Sequence, residues 1–354
     1  MDFYESNKNM DRGDHNFSDH NPNKNNNSNP KNIEFLCTLV DDSFAYYYFY
    51  NSFNVFQSVN GNFYLIYTNT KNSIILFNLL VNKKINEIKN SHNEYISNFR
   101  HLLDKKNKRD LVISISAKDN CIKLWNINTL ECLLHIHHLN KKGYLFSACF
   151  LSDNNNNYII TTNFSFYPEP IKLFDLNGNK IKEINESGKS AYFIDIYYDN
   201  KKSKIYVIVG TEDSIKSFDY YENKIYKKYI NEINSFSNNI IINDNGQGFV
   251  KLIESDRENK IKIWNFHSGE LLKIIGDINN NINNLCLWNN EYIIASCYKG
   301  IIKLIEINNG KIIKDFIFHK QFIITIIKII HPLYGECLIS HGNDNLIKLW
   351  INKI

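Results

Sequence analysis

A short apolar segment recurs seven times along the 354 residues, and its spacing constrains the fold more than any other feature of the sequence. Each copy consists of β-branched or leucine residues around one polar position, followed by a bulky apolar residue. Those bulky residues are Phe77, Trp125, Phe174, Phe218, Trp264, Ile305 and Trp350. They are separated by 48, 49, 44, 46, 41 and 45 residues. So regular a period predicts a repeat protein rather than two or three unrelated domains.

Within each period, short runs of β-branched and aromatic residues alternate with clusters of Asn, Asp and Gly, a pattern typical of strands joined by turns. One unit predicts four strands, with residues 95–103 as the inner strand, then 111–116, 121–126 and 131–137 as the outer one. A four-stranded unit every 40 to 50 residues or so is the repeat of a β-propeller blade. The sequence therefore predicts an all-β, seven-bladed β-propeller of four-stranded antiparallel blades, with little or no helix.

The two ends of the chain predict how the ring closes. Residues 1–32 are an Asn-rich polar tract, which we interpret as a disordered tail, and residues 33–354 form the propeller. The last unit supplies only three strands, while 33–41 is an additional strand ahead of the first unit. Pairing that strand with blade 7 removes an exposed sheet edge and closes the ring. Deleting 33–40 is then expected to destabilise every blade, since neighbouring repeats share buried faces.

Three of the units end in sequences that resemble the end of a WD40 repeat. These sequences are Asp119-NCIKLW, Glu258-NKIKIW and Asp344-NLIKLW, and the resemblance extends over residues 33–354. It implies that the turn before the third strand carries an acidic residue, and that partners are commonly bound on the face formed by these turns. It also implies a buried hydrogen-bonded network of a histidine, a serine or threonine, an aspartate and a tryptophan.

In this chain the resemblance assigns that network to two units. His92 would pair with Asp119, and His319 with Asp344. The residue two positions before the aspartate is alanine in the first unit and glycine in the second, so we expect neither network to be complete. Four of the seven tryptophan positions carry Phe or Ile, which still satisfies the need for a bulky apolar residue.

Charge, cysteine content and hydropathy exclude several classes of function. The 41 basic and 37 acidic residues are dispersed, so neither nucleic acid nor an anionic membrane is an expected partner. Seven scattered cysteines without a CxxC pair predict reduced thiols rather than disulfides or a zinc ribbon. No apolar run is long enough for a signal peptide or a membrane span. We therefore expect a cytoplasmic protein, with the nucleus as the alternative, and no membrane insertion.

The sequence shows no catalytic apparatus and no cofactor motif. His135 and His137 lie two residues apart on a predicted strand and could share a metal ion, but we interpret them as solvent-facing residues of an outer strand and expect no metal. Inner strands such as 322–330 are apolar rather than rich in acids and histidines. We therefore expect no catalytic residues and no cofactor.

Candidate partner-binding residues follow from the turns before the third strands. On the face where WD40 propellers bind partners, the resemblance places Lys118, Arg257, Tyr298 and Asn343. Arg and Tyr are frequent interface anchors because they bury area and still offer hydrogen bonds. A fifth candidate, Tyr167, lies in a proline-containing insertion of blade 3 that is expected to protrude.

These observations favour a non-catalytic scaffold that assembles a multiprotein complex through the faces of a propeller. Its partners would be proteins or peptides. The alternative is a propeller enzyme or ligand-binding protein with its site in the central channel. That alternative would require inward-facing His, Asp or Glu residues at the channel ends of several blades.

Overall fold

The computed structural model consists of seven four-stranded antiparallel sheets arranged as the blades of a propeller. It describes residues 30–41, 53–137, 144–153, 156–164, 170–184, 191–211, 214–230, 239–244, 249–256, 258–276, 278 and 281–353. A single 3-10 turn at Pro30–Asn32 precedes the first strand, and the rest of the predicted tail lies outside these residues. In the described part of the chain, no helix is long and apolar enough to cross a membrane.

The first strand, β1 (Ile33–Asp41), precedes the blades. Blade 1 contains β2 (Phe53–Gln57), β3 (Phe63–Thr68), β4 (Ile74–Asn78) and β5 (Lys83–Ile88). Blade 2 contains β6 (Asn98–Asp104), β7 (Arg109–Ser116), β8 (Cys121–Asn126) and β9 (Glu131–His137). Blade 3 contains β10 (Tyr144–Asp153), β11 (Asn156–Phe164), β12 (Ile171–Asp175) and β13 (Lys180–Ile184). Blade 4 contains β14 (Ala191–Asp199), β15 (Lys204–Thr211), β16 (Ile215–Asp219) and β17 (Lys224–Tyr229).

Blade 5 contains β18 (Asn239–Asp244), β19 (Val250–Ser255), β20 (Ile261–Asn265) and β21 (Leu271–Ile275). Blade 6 contains β22 (Ile282–Leu287), β23 (Tyr292–Cys297), β24 (Ile301–Glu306) and β25 (Ile312–Ile317). Blade 7 contains β26 (Ile323–His331), β27 (Gly335–Gly342) and β28 (Leu346–Asn352), and its fourth strand is β1.

The predicted closure of the ring is confirmed. β1 runs antiparallel to β28, from the pair Ile33 and Asn352 to the pair Asp41 and Leu346. The ring of Phe35 meets that of Trp350 edge-on at 5.2 Å between centroids. Strand β1 therefore covers the outer edge of blade 7, which would otherwise present unpaired backbone groups.

The described residues form seven apolar core clusters, and each cluster lies between two neighbouring blades. Val55 and Leu65 of blade 1, for example, share a cluster with Ile329 and Ile339 of blade 7. The remaining six join each successive pair of blades from 1 to 7. Among the residues that the structure describes, every blade is buried against both neighbours rather than around a core of its own. This explains why the repeats must form a ring.

The many asparagines do not indicate a function by their number, but several of them stabilise turns. Of the eleven non-glycine residues described with positive φ, seven are asparagine. Asn120 and Asn345, with φ of 53° and 62°, occupy matching turns before the third strands of blades 2 and 7. Asparagine tolerates this left-handed conformation better than other residues with a Cβ, so the composition suits a fold built from short hairpins.

Candidate functional site: one end of the propeller

Three of the predicted partner-binding residues lie at the same end of the propeller. Each blade is entered by a loop from the previous blade, runs to the opposite end along its first strand and returns along its second. The turn between the second and third strands therefore lies at the entry end, which we call the upper end. Lys118, Tyr298 and Asn343 occupy these turns in blades 2, 6 and 7. Tyr167 and Arg257 lie outside the described residues.

Tyr298 and Asn343 are brought together across the boundary between blades 6 and 7. The Tyr298 ring stacks on that of Phe322, with centroids 5.4 Å apart and planes 27° apart. The backbone N–H of Asn343 donates to the carbonyl of Phe322 at 2.9 Å, and its side-chain amide donates to Gln321 Oε1 at 2.5 Å. Phe322 thus connects two turns that the sequence presents as separate features.

Exposed lysines flank this aromatic pair. Tyr298 is 39% exposed, and Lys299 and Lys320 beside it are also exposed. Within the described residues neither lysine forms an ion pair. We define the blade 6–7 patch by its members, Tyr298, Lys299, Lys320, Gln321, Phe322 and Asn343. Its aromatic area suits an interface anchor, and its two lysines give it positive charge.

Lys118 is not part of this patch. It lies in blade 2, separated from blade 7 by blade 1, and its ammonium group contacts Glu94 Oε2 at 2.9 Å. Both side chains are substantially exposed, so the pair contributes little to stability. The structure therefore divides the predicted binding residues into a continuous surface on blades 6 and 7 and an isolated ion pair on blade 2.

A complete hydrogen-bonded network supports the patch from below. In blade 7, His319 Nδ1 lies 2.8 Å from Asp344 Oδ1, and His319 Nε2 lies 2.7 Å from Ser340 Oγ. The indole N–H of Trp350 donates to the same Ser340 oxygen at 2.7 Å. Asp344 also accepts the backbone N–H of Lys320 at 3.1 Å. The network therefore fixes the loop that carries the patch residues to the second and third strands of the blade.

The ionisation of this network follows from its burial. Burial lowers the pKa of His319, although the hydrogen bond with Asp344 acts in the opposite direction. Burial opposes ionisation of Asp344, but the interactions with His319, the backbone N–H of Lys320 and the charge of Lys348 together outweigh that effect, so the pKa of Asp344 lies below its usual value. An ionised aspartate next to a neutral imidazole N–H is the arrangement these shifts favour.

Blade 2 contains a second network of the same residue types. His92 Nε2 lies 2.6 Å from Ser114 Oγ, and the Trp125 indole donates to that oxygen at 2.7 Å. Asp119 Oδ2 accepts the backbone N–H groups of Asn93 and Glu94 at 2.9 and 3.0 Å. This aspartate is 3.6 Å from His92 Nδ1, beyond hydrogen-bonding distance.

The expectation that neither network is complete was wrong for blade 7. In blade 2 the serine hydroxyl that the sequence predicted to be missing is also present, as Ser114. The serines are not two residues before the aspartate, in the turn. They lie on the second strand, where Ser114 and Ser340 each face the tryptophan of the third strand. A buried indole N–H requires an acceptor, so a search for a hydroxyl ten or eleven residues before each tryptophan would have found both.

The blade 7 network can be tested through Gly342, which precedes the turn. A Cβ at this position would lie 2.3 Å from His319 Nδ1 and 2.5 Å from Asp344 Oδ1. We expect Gly342→Ala to separate these two groups and to lower the free energy of unfolding by about 1–3 kcal/mol, the cost of a disrupted buried hydrogen bond. Urea denaturation of both proteins measures this difference. A change below about 0.5 kcal/mol would contradict the role of the hydrogen bond.

The other predicted structural positions are buried on the third strands of their blades. These residues are Phe77 on β4, Phe174 on β12, Phe218 on β16, Trp264 on β20 and Ile305 on β24. In blade 5 the acceptor is a carboxylate, because the Trp264 indole donates to Glu254 Oε1 at 2.8 Å. No pattern in the sequence links these two residues, which lie on neighbouring strands.

The inner strands of blades 2, 3 and 4 surround a small cavity with polar walls. Arg100, His101 and Asp195 line it together with Tyr198, whose pKa is raised by burial. Arg100 and Asp195 were not identified from the sequence, because the apolar inner strands considered there belong to other blades. The volume of the cavity is about 20 Å³, enough for about one water molecule.

No model of a known protein family matches this chain, and no curated protein is significantly similar to it. The function must therefore be inferred from the geometry of the upper end.

Proposed function

We propose that this chain is a WD40-type propeller that acts as a non-catalytic protein-binding scaffold, and that it binds a partner through the blade 6–7 patch. The observation that carries the proposal is the exposed Tyr298 ring stacked on Phe322 at the upper end. An aromatic side chain held by a neighbour loses little entropy on binding, so it can contribute a large part of the affinity.

Membership of the WD40 type is supported by the networks of blades 2 and 7. Both combine a histidine from the loop that enters the blade, a serine on the second strand and a tryptophan on the third. These are the residue types that the family resemblance implies, and blade 7 adds the hydrogen bond with Asp344. The propeller fold alone would support only a general interaction role.

The charge of the patch indicates the chemistry of the partner. Lys299 and Lys320 place two positive charges beside the aromatic pair, and no described carboxylate forms an ion pair with either of them. A peptide segment with an acidic residue next to an apolar or aromatic one would match both features. We propose such a segment, presented by another protein, as the ligand.

The small cavity among the inner strands of blades 2, 3 and 4 is a less suitable ligand site than the upper end. The cavity beside Arg100 and Asp195 holds about one water molecule, and a substrate would need several hundred Å³. The patch, in contrast, is open to solvent and has a rigid base. Of the two locations, the upper end therefore offers the better binding surface.

The proposal predicts that Tyr298→Ala combined with Lys320→Glu abolishes partner capture. We expect recovery of a defined partner set to fall by at least about 30-fold, as for loss of an interface hot spot, with little change in melting temperature because both side chains are exposed. Affinity purification of the tagged chain from its own cells, with quantitative mass spectrometry, measures this recovery.

Tyr334→Ala is the matched control. Tyr334 is also an exposed tyrosine stacked on a neighbour, His331, but it lies in the turn between β26 and β27 at the opposite end of the propeller. Its substitution should leave the partner set unchanged. Equal recovery with the patch variant and the wild type, or loss with Tyr334→Ala instead, would overturn the proposed surface.

A further inference from the structure

Three side chains of blade 2 converge at the upper end with the spacing of metal ligands. Cys121 Sγ lies 3.5 Å from His92 Nδ1, and that nitrogen lies 3.6 Å from Asp119 Oδ2. All three potential ligand atoms are within 4.8 Å of one another. Ligand atoms around a tetrahedral zinc ion, with bonds of about 2.0–2.3 Å, are separated by about 3.3–3.6 Å. The two measured separations lie at the upper limit of that range.

Blade 7 provides an internal comparison. There the same histidine and aspartate are in direct hydrogen-bond contact at 2.8 Å, and Leu346 occupies the position of the cysteine. The turn after the second strand is also longer in blade 2, where residues 117–120 correspond to residues 343–345. Blade 2 thus differs from its counterpart in two ways, a wider separation between His92 and Asp119 and a thiol beside it.

We propose that blade 2 binds one divalent cation of the zinc class through His92 Nδ1, Asp119 and Cys121 Sγ. Imidazole, carboxylate and thiolate are the donors that this class of ion prefers. Asp119 is the partly exposed member of the set, so a water molecule can reach the fourth position from its side. Blade 7 lacks the thiol and the gap, so of these two networks only that of blade 2 offers a site for the ion.

The surroundings of the three ligands hold them in place. The carboxylate of Asp119 is anchored by two backbone N–H groups from the entry loop. The second ring nitrogen of His92 is fixed by Ser114, which is itself held by Trp125. Such outer contacts orient a histidine ligand and set which nitrogen carries its proton.

Binding of a divalent cation here requires the Cys121 thiol to lose its proton. Forming the bond between sulfur and the metal releases this proton to solvent. The charge of nearby Lys123 opposes a cation, but the thiolate and the carboxylate together neutralise a divalent ion.

Titration of the metal-free full chain with Co²⁺ tests the site directly. We expect one equivalent to produce a thiolate-to-metal charge-transfer band and the d–d bands of tetrahedral cobalt, and Zn²⁺ to displace both. Cys121→Ser should abolish the charge-transfer band and weaken Zn²⁺ binding at least about 100-fold, because changes outside the ligand shell alone cost 10- to 100-fold. Zn²⁺ should raise the melting temperature of the wild type and not that of the variant.

Two control variants separate this site from its neighbours. Cys297→Ser alters another buried thiol, whose pKa burial raises to about 12, but it lies in blade 6 and should not affect binding. The double variant His135→Ala and His137→Ala removes the exposed histidine pair of β9, whose rings lie 3.9 Å apart, and should also bind normally.

Loss of Zn²⁺ binding in the His135 and His137 variant, with retention in Cys121→Ser, would overturn the assignment. So would a wild-type protein that shows no thiolate band with Co²⁺. X-ray absorption of the Zn²⁺-loaded wild type gives a result that does not depend on the folding of any variant. One sulfur scatterer with nitrogen and oxygen is expected, and a shell without sulfur contradicts the proposal.

Discussion

Gly300→Ala is expected to lower the free energy of unfolding by at least about 4 kcal/mol, a loss that few single substitutions reach. Gly300 has φ of 70°, and a Cβ built on it lies 1.8 Å from the carbonyl oxygen of His319 and 2.8 Å from that of Gln321. Both neighbours are backbone atoms, so no change of rotamer relieves the overlap. Either the turn of blade 6 or the entry loop of blade 7 must move.

Movement of that loop would also break contacts on which the upper end depends. The carbonyl of Gly300 accepts the backbone N–H groups of Phe318 and His319 at 2.8 and 3.3 Å. His319 belongs to the blade 7 network, and Tyr298 lies in the same turn as Gly300. We therefore expect the variant to lose both stability and the rigid support of the blade 6–7 patch.

Gly335→Ala is the control that separates the steric overlap at Gly300 from the cost of placing a residue with a Cβ in the left-handed conformation. Gly335 has a nearly identical φ of 71°, but a Cβ there meets no atom within 4 Å. Its substitution should cost only about 1–2 kcal/mol, the penalty for a left-handed residue that has a Cβ. Chemical denaturation followed by circular dichroism measures both variants. Similar losses in the two would show that the loops adjust and that the close approach to His319 is unimportant.

Local pattern was sufficient to predict the strands that lie inside hairpins. The predicted strands 121–126 and 131–137 coincide with β8 and β9, and 111–116 falls within β7. The inner strand was predicted to begin at residue 95 but begins at Asn98. Its entry loop is held by hydrogen bonds from Asn93 and Glu94 to Asp119. Each of these contacts joins residues about 25 positions apart in the sequence, so no short-range pattern reveals them.

The proposed binding surface was harder to predict because its members come from different blades. Tyr298 was identified from its turn, whereas Phe322 was assigned to the apolar inner strand that follows. In the structure β26 begins at Ile323, which leaves Phe322 in the loop to stack on Tyr298. Spacing predicted the ring of blades, but which side chains meet across a blade boundary depends on loop conformation.

The proximity of His92, Asp119 and Cys121 likewise could not be predicted from the sequence. The sequence indicated His92 and Asp119 as partners, while Cys121 was interpreted as one of several reduced thiols in or beside strands. Its proximity to His92 follows from the turn of residues 117–120, which places the first residue of β8 beside the entry loop. A register one residue different would have directed the thiol to the other face of the sheet.

Trp264→Ala is expected to lower the free energy of unfolding by about 3–5 kcal/mol, because it removes a buried aromatic side chain. Trp264 is 2% exposed and lies in the cluster that joins blades 4 and 5, where its ring meets that of Tyr229 at 6.1 Å. Neither blade can close over the space, because each is also held by its other neighbour. The indole is moreover a donor to the buried carboxylate of Glu254.

Trp264→Phe separates the contribution of side-chain volume to this loss from that of the hydrogen bond to Glu254. Blades 1, 3 and 4 carry Phe at the same position, so a phenyl ring fits the strand, and the variant chiefly removes the N–H group that binds Glu254. We expect a cost of about 1–3 kcal/mol, the penalty for depriving a buried acceptor of its donor. Circular dichroism is the appropriate probe, because both variants remove a fluorophore. A loss for Trp264→Ala no larger than that for Trp264→Phe would mean that the carboxylate, rather than the shared apolar core, determines the stability of this blade boundary.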